Sequence, residues 1–84
     1  MPDNRIIIEQ LKNLIQSLGY AVDGYNIGAD RLTATIKIGA KDLNQDQQNL
    51  IGIQLRRIVA TQAWTITASQ KIGDDLVFSL EKEI

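Results

Sequence analysis

The sequence predicts a two-layer α+β sandwich in the order α-β-β-α-β-β, with two helices on one face of a four-stranded antiparallel sheet. Three observations carry this. Two amphipathic stretches space their apolar residues by three and four; each is followed by two short segments in which apolar and polar residues alternate; and the second half echoes the first.

From Asn4 to Leu18, Ile7, Leu11, Leu14, Ile15 and Leu18 form an apolar stripe between polar residues, predicting a helix. Asp3 or Asn4 can cap it, and Gly19 stands where a left-handed C-terminal residue is expected. Tyr20–Asn26 reads as a strand with Tyr20 and Val22 on one face and Ala21, Asp23 and Tyr25 on the other; Gly24 weakens it or marks a bulge. After the turn Gly28-Ala29-Asp30, a second strand turns Leu32, Ala34, Ile36 and Ile38 inward and Thr33, Thr35 and Lys37 outward. Asn44 and Gln47 have the spacing of a capping box opening a helix over Gln45–Gln62, whose stripe is Ile51, Leu55, Ile58 and Val59. A third strand places Trp64, Ile66 and Ala68 inward and Thr65, Thr67 and Ser69 outward. In the fourth, Leu76, Phe78 and Leu80 point inward, and the tail is expected to fray from Lys82.

The chain reads as one domain with an internal repeat, residues 4–40 and 44–84. At a constant offset of 44, Leu11 matches Leu55, Ile15 matches Val59, Tyr20 matches Trp64, and Ile36 matches Leu80. Only the turn departs, where Ile27-Gly28 aligns with Ile72-Gly73 at an offset of 45. A lone helix on a hairpin cannot cover its apolar face, so the two units are expected to share one core.

The handedness of crossovers leaves two arrangements. Strands two and three can be parallel neighbours, or strand four can insert between them in the order 3-4-2-1. The second is expected, because it centres the two best-patterned strands and leaves the strand carrying Gly24 on an edge. In topology alone, without any sequence motif, it resembles a circularly permuted ferredoxin-like sandwich.

The sequence does not declare an activity. It contains no cysteine and no histidine, which removes disulfides, thiol nucleophiles, imidazole acid–base chemistry and the usual zinc and iron–sulfur ligands. No cofactor, metal or catalytic set is expected, and the chain is read as non-enzymatic. Asp74-Asp75 with Asp30 would hold a divalent cation only if the turns converged, and Asp and Gly are ordinary turn residues. Gly28 and Gly73 are lone glycines without the spaced series of a phosphate loop. Trp64 and Tyr20 follow the helix ends at matching places and are expected as core plugs rather than pocket walls. No membrane-spanning segment or leader is apparent, and a cytoplasmic location is expected.

What remains is surface. Thr33, Thr35, Lys37, Thr65, Thr67 and Ser69, with Tyr25, are expected on an open sheet face that is either solvated or packs on a partner. Leu50 and Ile53 lie off the main helical stripe, as a docking ridge or, the expected reading, as the flank of a wide core stripe. Gly52 would suit the close approach of another backbone. Nine basic against ten acidic residues disfavour nucleic acid, although Arg56, Arg57, Lys12 and Lys71 could form a local patch with Tyr25 stacking a base. A small cysteine-free core favours self-association, so the leading expectation is a homodimeric interaction module joined through the sheet face or an open edge, with a nucleic-acid-binding regulator as the alternative.

Overall fold

The protein is described from a computed structural model covering residues 4–83. Helix α1 spans Asn4–Ser17, β1 Ala21–Ile27, β2 Arg31–Gly39, α2 Gln45–Ala60, β3 Thr65–Ile72 and β4 Asp75–Glu83. The strands form one antiparallel sheet in the order β1-β2-β4-β3, with the two helices packed against one face. The two central strands are those with the cleanest alternation. Leu32, Ala34, Ile36 and Ile38 of β2, and Leu76, Phe78 and Leu80 of β4, are all buried beneath Ile8, Leu11 and Ile15 of α1 and Leu55 and Val59 of α2. No buried residue among those described is polar or charged, so the core is held by apolar burial. Leu11 and Ile15 of the expected α1 stripe are buried, and Ile8, outside that stripe, is more deeply buried than Ile7. On α2, Leu55 and Val59 are fully covered and Ile51 and Ile58 half so.

Helix ends are fixed by local chemistry. The Asn44 side chain accepts from the Gln47 amide at 2.8 Å while Gln47 Oε1 accepts from the Asn44 amide at 2.9 Å, completing the capping box. Of the two expected caps of α1, Asn4 is instead the first helical residue and Asp3 lies outside the described residues. Both helices close with the same C-terminal motif. Tyr20 N donates to Ile15 O at 3.2 Å and Trp64 N to Val59 O at 3.0 Å, around a left-handed residue, Gly19 at φ 85° and Ala63 at φ 63°. The aromatic after each left-handed residue folds back onto the core, which is the apolar contact this motif favours. Ala63 carries about 1 kcal/mol of strain that glycine would not. Trp64 is 2% exposed, and its indole N–H finds no acceptor among the described residues, so the ring is kept there by its apolar area.

Both edge strands contain a bulge, and this revises several expected orientations. The β1–β2 ladder shifts between Val22 and Gly24, leaving Asp23 as the extra residue; the β3–β4 ladder shifts between Ile66 and Ala68, leaving Thr67. An extra residue transfers everything beyond it to the opposite face. Tyr25 therefore pairs with buried Ala34, and Ser69 with buried Phe78, so both turn toward the helices, while Ala68 opposite Ser79 turns outward. Gly24 signals the first bulge, whereas nothing at Thr67-Ala68 signals the second.

Pairs in the outer ladders recur at the offset of 44: Val22↔Ile36 with Ile66↔Leu80, and Tyr25↔Ala34 with Ser69↔Phe78. The hairpins keep the same offset. Gly28 N donates to Arg31 O at 2.9 Å across Ala29-Asp30, at the position where Ile72 pairs with Asp75 across Gly73-Asp74. The apparent offset of 45 thus reflects a glycine placed differently within equal turns, not a shorter loop. The C-terminal segment does not fray at Lys82: it pairs with Leu32, and its ammonium donates to Gln62 O at 2.7 Å.

Candidate functional site

The open face of the sheet carries Thr33, Thr35, Lys37 and Thr65 as expected, with Ser79 opposite Thr35. Thr67, in the bulge, donates its hydroxyl to Ser79 O at 3.3 Å. Tyr25 and Ser69 leave this face because each lies beyond a bulge. The charges at its two ends are paired within the chain, Arg31 to Glu81 at 2.8 Å and Lys37 to Asp75 at 3.7 Å. The hydroxyl surface thus has ions at both ends that already hold partners within the chain.

The outer face of α2 differs. Leu50 and Ile53 are each 52% exposed, so they are not the flank of a core stripe. They share the side of the helix opposite Leu55 with Asp46 and Arg57, and neither of those ions is in a salt bridge among the described residues. On α1, Ile6 occupies the place of Leu50 and is equally exposed, but Glu9 stands where α2 has Ile53.

The four cations do not form one patch. Lys12 lies on α1 above the β1 edge, 4.9 Å from the Tyr25 ring centre and 3.4 Å from Glu9, whereas Arg56 and Lys71 flank the opposite, β3, edge and Arg57 points outward. Lys12 stands over one face of the Tyr25 ring, which is 50% exposed. The acidic turns also lie apart. Asp30 is at the end of the central ladder where Arg31 pairs with Glu83, and Asp74-Asp75 is at the other end. Asp30 approaches Arg31 at 3.5 Å, and among the described residues no three metal-ligating side chains converge.

Between α2 and β3 runs an open groove of ≈ 580 Å³. Its floor is Ile66, Leu76 and Phe78; Gln48, Asn49 and Gln70 supply amides, and Arg56 and Lys71 supply charge. Gly52 lines it on the α2 side. A Cβ at position 52 would meet the Phe78 ring at 3.7 Å, and not another backbone. That is ordinary contact distance, so Gly52→Ala is expected to raise stability by about 1 kcal/mol through helix propensity. A rise of several degrees in the thermal midpoint checks it, and an unchanged or lower midpoint contradicts it. A smaller groove of ≈ 130 Å³ lies beside Tyr20, Ile51 and Ile58. At the equivalent place Trp64 is buried, its larger ring set into the core.

The groove is hidden in the sequence because its signal is comparative: Gly52 against Ile8, and Ser69 and Lys71 against Tyr25 and Ile27, become meaningful only once the bulges put these residues on the helix side. No helix of the described residues is long and apolar enough to cross a membrane. Comparison of the chain with protein-family models, curated proteins and solved structures finds no match in any of the three.

Proposed function

We propose that the chain is a small, non-enzymatic interaction module, built by duplication of an α-β-β unit, that self-associates through the outer face of α2. The observation that carries this is the symmetry of that face. Asp46, Leu50, Ile53 and Arg57 follow one another at steps of four, three and four along a single side of the helix. Their midpoint falls between Ile51 and Gly52. Reversing the helix about that midpoint exchanges Leu50 with Ile53 and Asp46 with Arg57.

A second copy laid antiparallel across the first therefore sets Leu50 against the partner's Ile53 and Asp46 against the partner's Arg57, twice over. Such an isologous contact is the commonest way for a chain to pair with itself. The apolar pair supplies the buried area, and the terminal charges, about 16 Å apart along the helix, fix direction and register. A single helix face is a small interface, so the dimer is weak and reversible. The sheet face, with its ions paired internally, offers less.

Sedimentation velocity from roughly 10 μM to roughly 1 mM spans the range in which a small interface fills. The mass is expected to rise from the 9.4 kDa monomer toward twice that value, and Leu50→Asp to remain monomeric with an unchanged circular dichroism spectrum. A wild-type chain that stays at 9.4 kDa throughout overturns the reading.

A further inference from the structure

We infer that the groove between α2 and β3 is a binding site for a small aromatic anion, a flat apolar ring bearing a single carboxylate, sulfonate or phosphate head. The first half of the chain shows what stands at the matching place. There Ile8 is buried, the half-exposed Tyr25 ring lies on the helix side of β1, and the Lys12 ammonium stands over one of its faces at 4.9 Å. At the matching positions of the second half stand Gly52, Ser69 and Arg56, and Lys71 replaces Ile27. Phe78, where β2 has Ala34, refills only the inner part. The second half thus lacks the ring that β1 carries on the helix side, while a cation is kept at the facing helix position.

The remaining space is of the size that holds small molecules. Its chemistry selects among them. Ile66, Leu76 and Phe78 offer an apolar floor, and a guanidinium at position 56 can lie over a ring as Lys12 lies over Tyr25. Lys71 projects from the same face of β3 as Ser69, two residues further and so about 7 Å along the strand, where it meets a head group. Neither Arg56 nor Lys71 is in an ion pair among the described residues, and no acidic side chain lines the groove. Two cations without an acid beside apolar surface attract an anion with an apolar body, whereas a bare inorganic anion would leave the floor uncovered and a neutral ring would leave the charges unused.

The site borders the self-association stripe, since Ile53 also lines the groove while Gly52 and Arg56 lie on the flank of α2 toward β3, so the test is run in both the wild-type and the Leu50→Asp chain. Amide chemical shifts are followed while 2-naphthoate is added, with 2-naphthalenemethanol and inorganic phosphate in parallel. Naphthoate is expected to give saturable shifts centred on Gly52, Arg56, Ser69 and Lys71. The alcohol should bind at least roughly tenfold more weakly, and phosphate should give no saturable shift there. Gly52→Leu, which refills the groove, should abolish binding while its dispersed spectrum reports an intact fold; Arg56→Gln and Lys71→Gln should each weaken binding several-fold. The inference is overturned if these amides do not saturate, if the alcohol binds as well as the acid, if the Gln variants bind as wild type, or if an acidic peptide shifts the same amides and naphthoate does not.

Discussion

Replacing Ile36 or Leu80 by aspartate is expected to leave the chain unfolded in water at room temperature. Ile36 is 0% and Leu80 1% exposed, and they sit on the two central strands, two rungs apart in the β2–β4 ladder. A carboxylate at either place would be surrounded by Leu, Ile, Val and Phe side chains with no buried polar group among the described residues to receive it. Ionised, it forfeits hydration; protonated, it must hold a neutral acid in the core at a cost of several kcal/mol, besides the cavity left by the lost aliphatic. Domains of this size have stabilities near the low end of about 5–15 kcal/mol, so the loss consumes most or all of it. Ile36→Val, which removes one methyl group, is the control and should cost only about 1 kcal/mol. Urea titrations followed by circular dichroism decide the matter, and an aspartate variant with the wild-type midpoint would contradict the central placement of these strands.

Reversing one charge of the α2 stripe should dissociate the dimer while leaving the monomer folded. In Asp46→Arg homodimers, both ends of the antiparallel contact bring the substituted arginine against Arg57; in Arg57→Asp homodimers, both ends bring two aspartates together. Two weak attractions become two weak repulsions, a change of about 2 kcal/mol in all, or roughly thirtyfold in Kd. Each reversal also opposes the helix dipole, because Asp46 lies in the first turn and Arg57 in the last, at a cost of about 0.5 kcal/mol to the monomer. The association effect is the larger, and thermal melts of dilute samples separate the two. A variant that self-associates as strongly as the wild type would remove the ion pairs from the interface.

The architecture is legible in the sequence because its determinants are periodic and local. Alternation in Leu32–Ile38 and Leu76–Leu80 marks the central strands, and Asn44 with Gln47 marks the start of α2. What escapes is aperiodic. The bulge at Thr67 has no glycine to announce it, so strict alternation puts Ser69 on the wrong face of the sheet, and Tyr25 is misplaced in the same way beyond Asp23. Ala63 adopts the left-handed conformation that Gly19 makes obvious in the first half, and only its hydrogen bonds disclose it. The surfaces are partly legible. Leu50 and Ile53 stand out by their spacing, but whether a residue off the main stripe is covered depends on how the helix is rolled against the sheet, which one sequence does not state. The Arg56–Lys71 pairing across the groove depends on the second bulge as well, and without it Lys12, equally basic, falls into one group with residues from the far edge.

Mixing the two charge-reversed chains tests the antiparallel α2 contact most directly. In an equimolar mixture of Asp46→Arg and Arg57→Asp, each end of the contact again sets arginine against aspartate, so sedimentation velocity should show a heterodimer at concentrations where either chain alone is monomeric. A mixture that sediments as two monomers would contradict the antiparallel contact on which the proposed function rests.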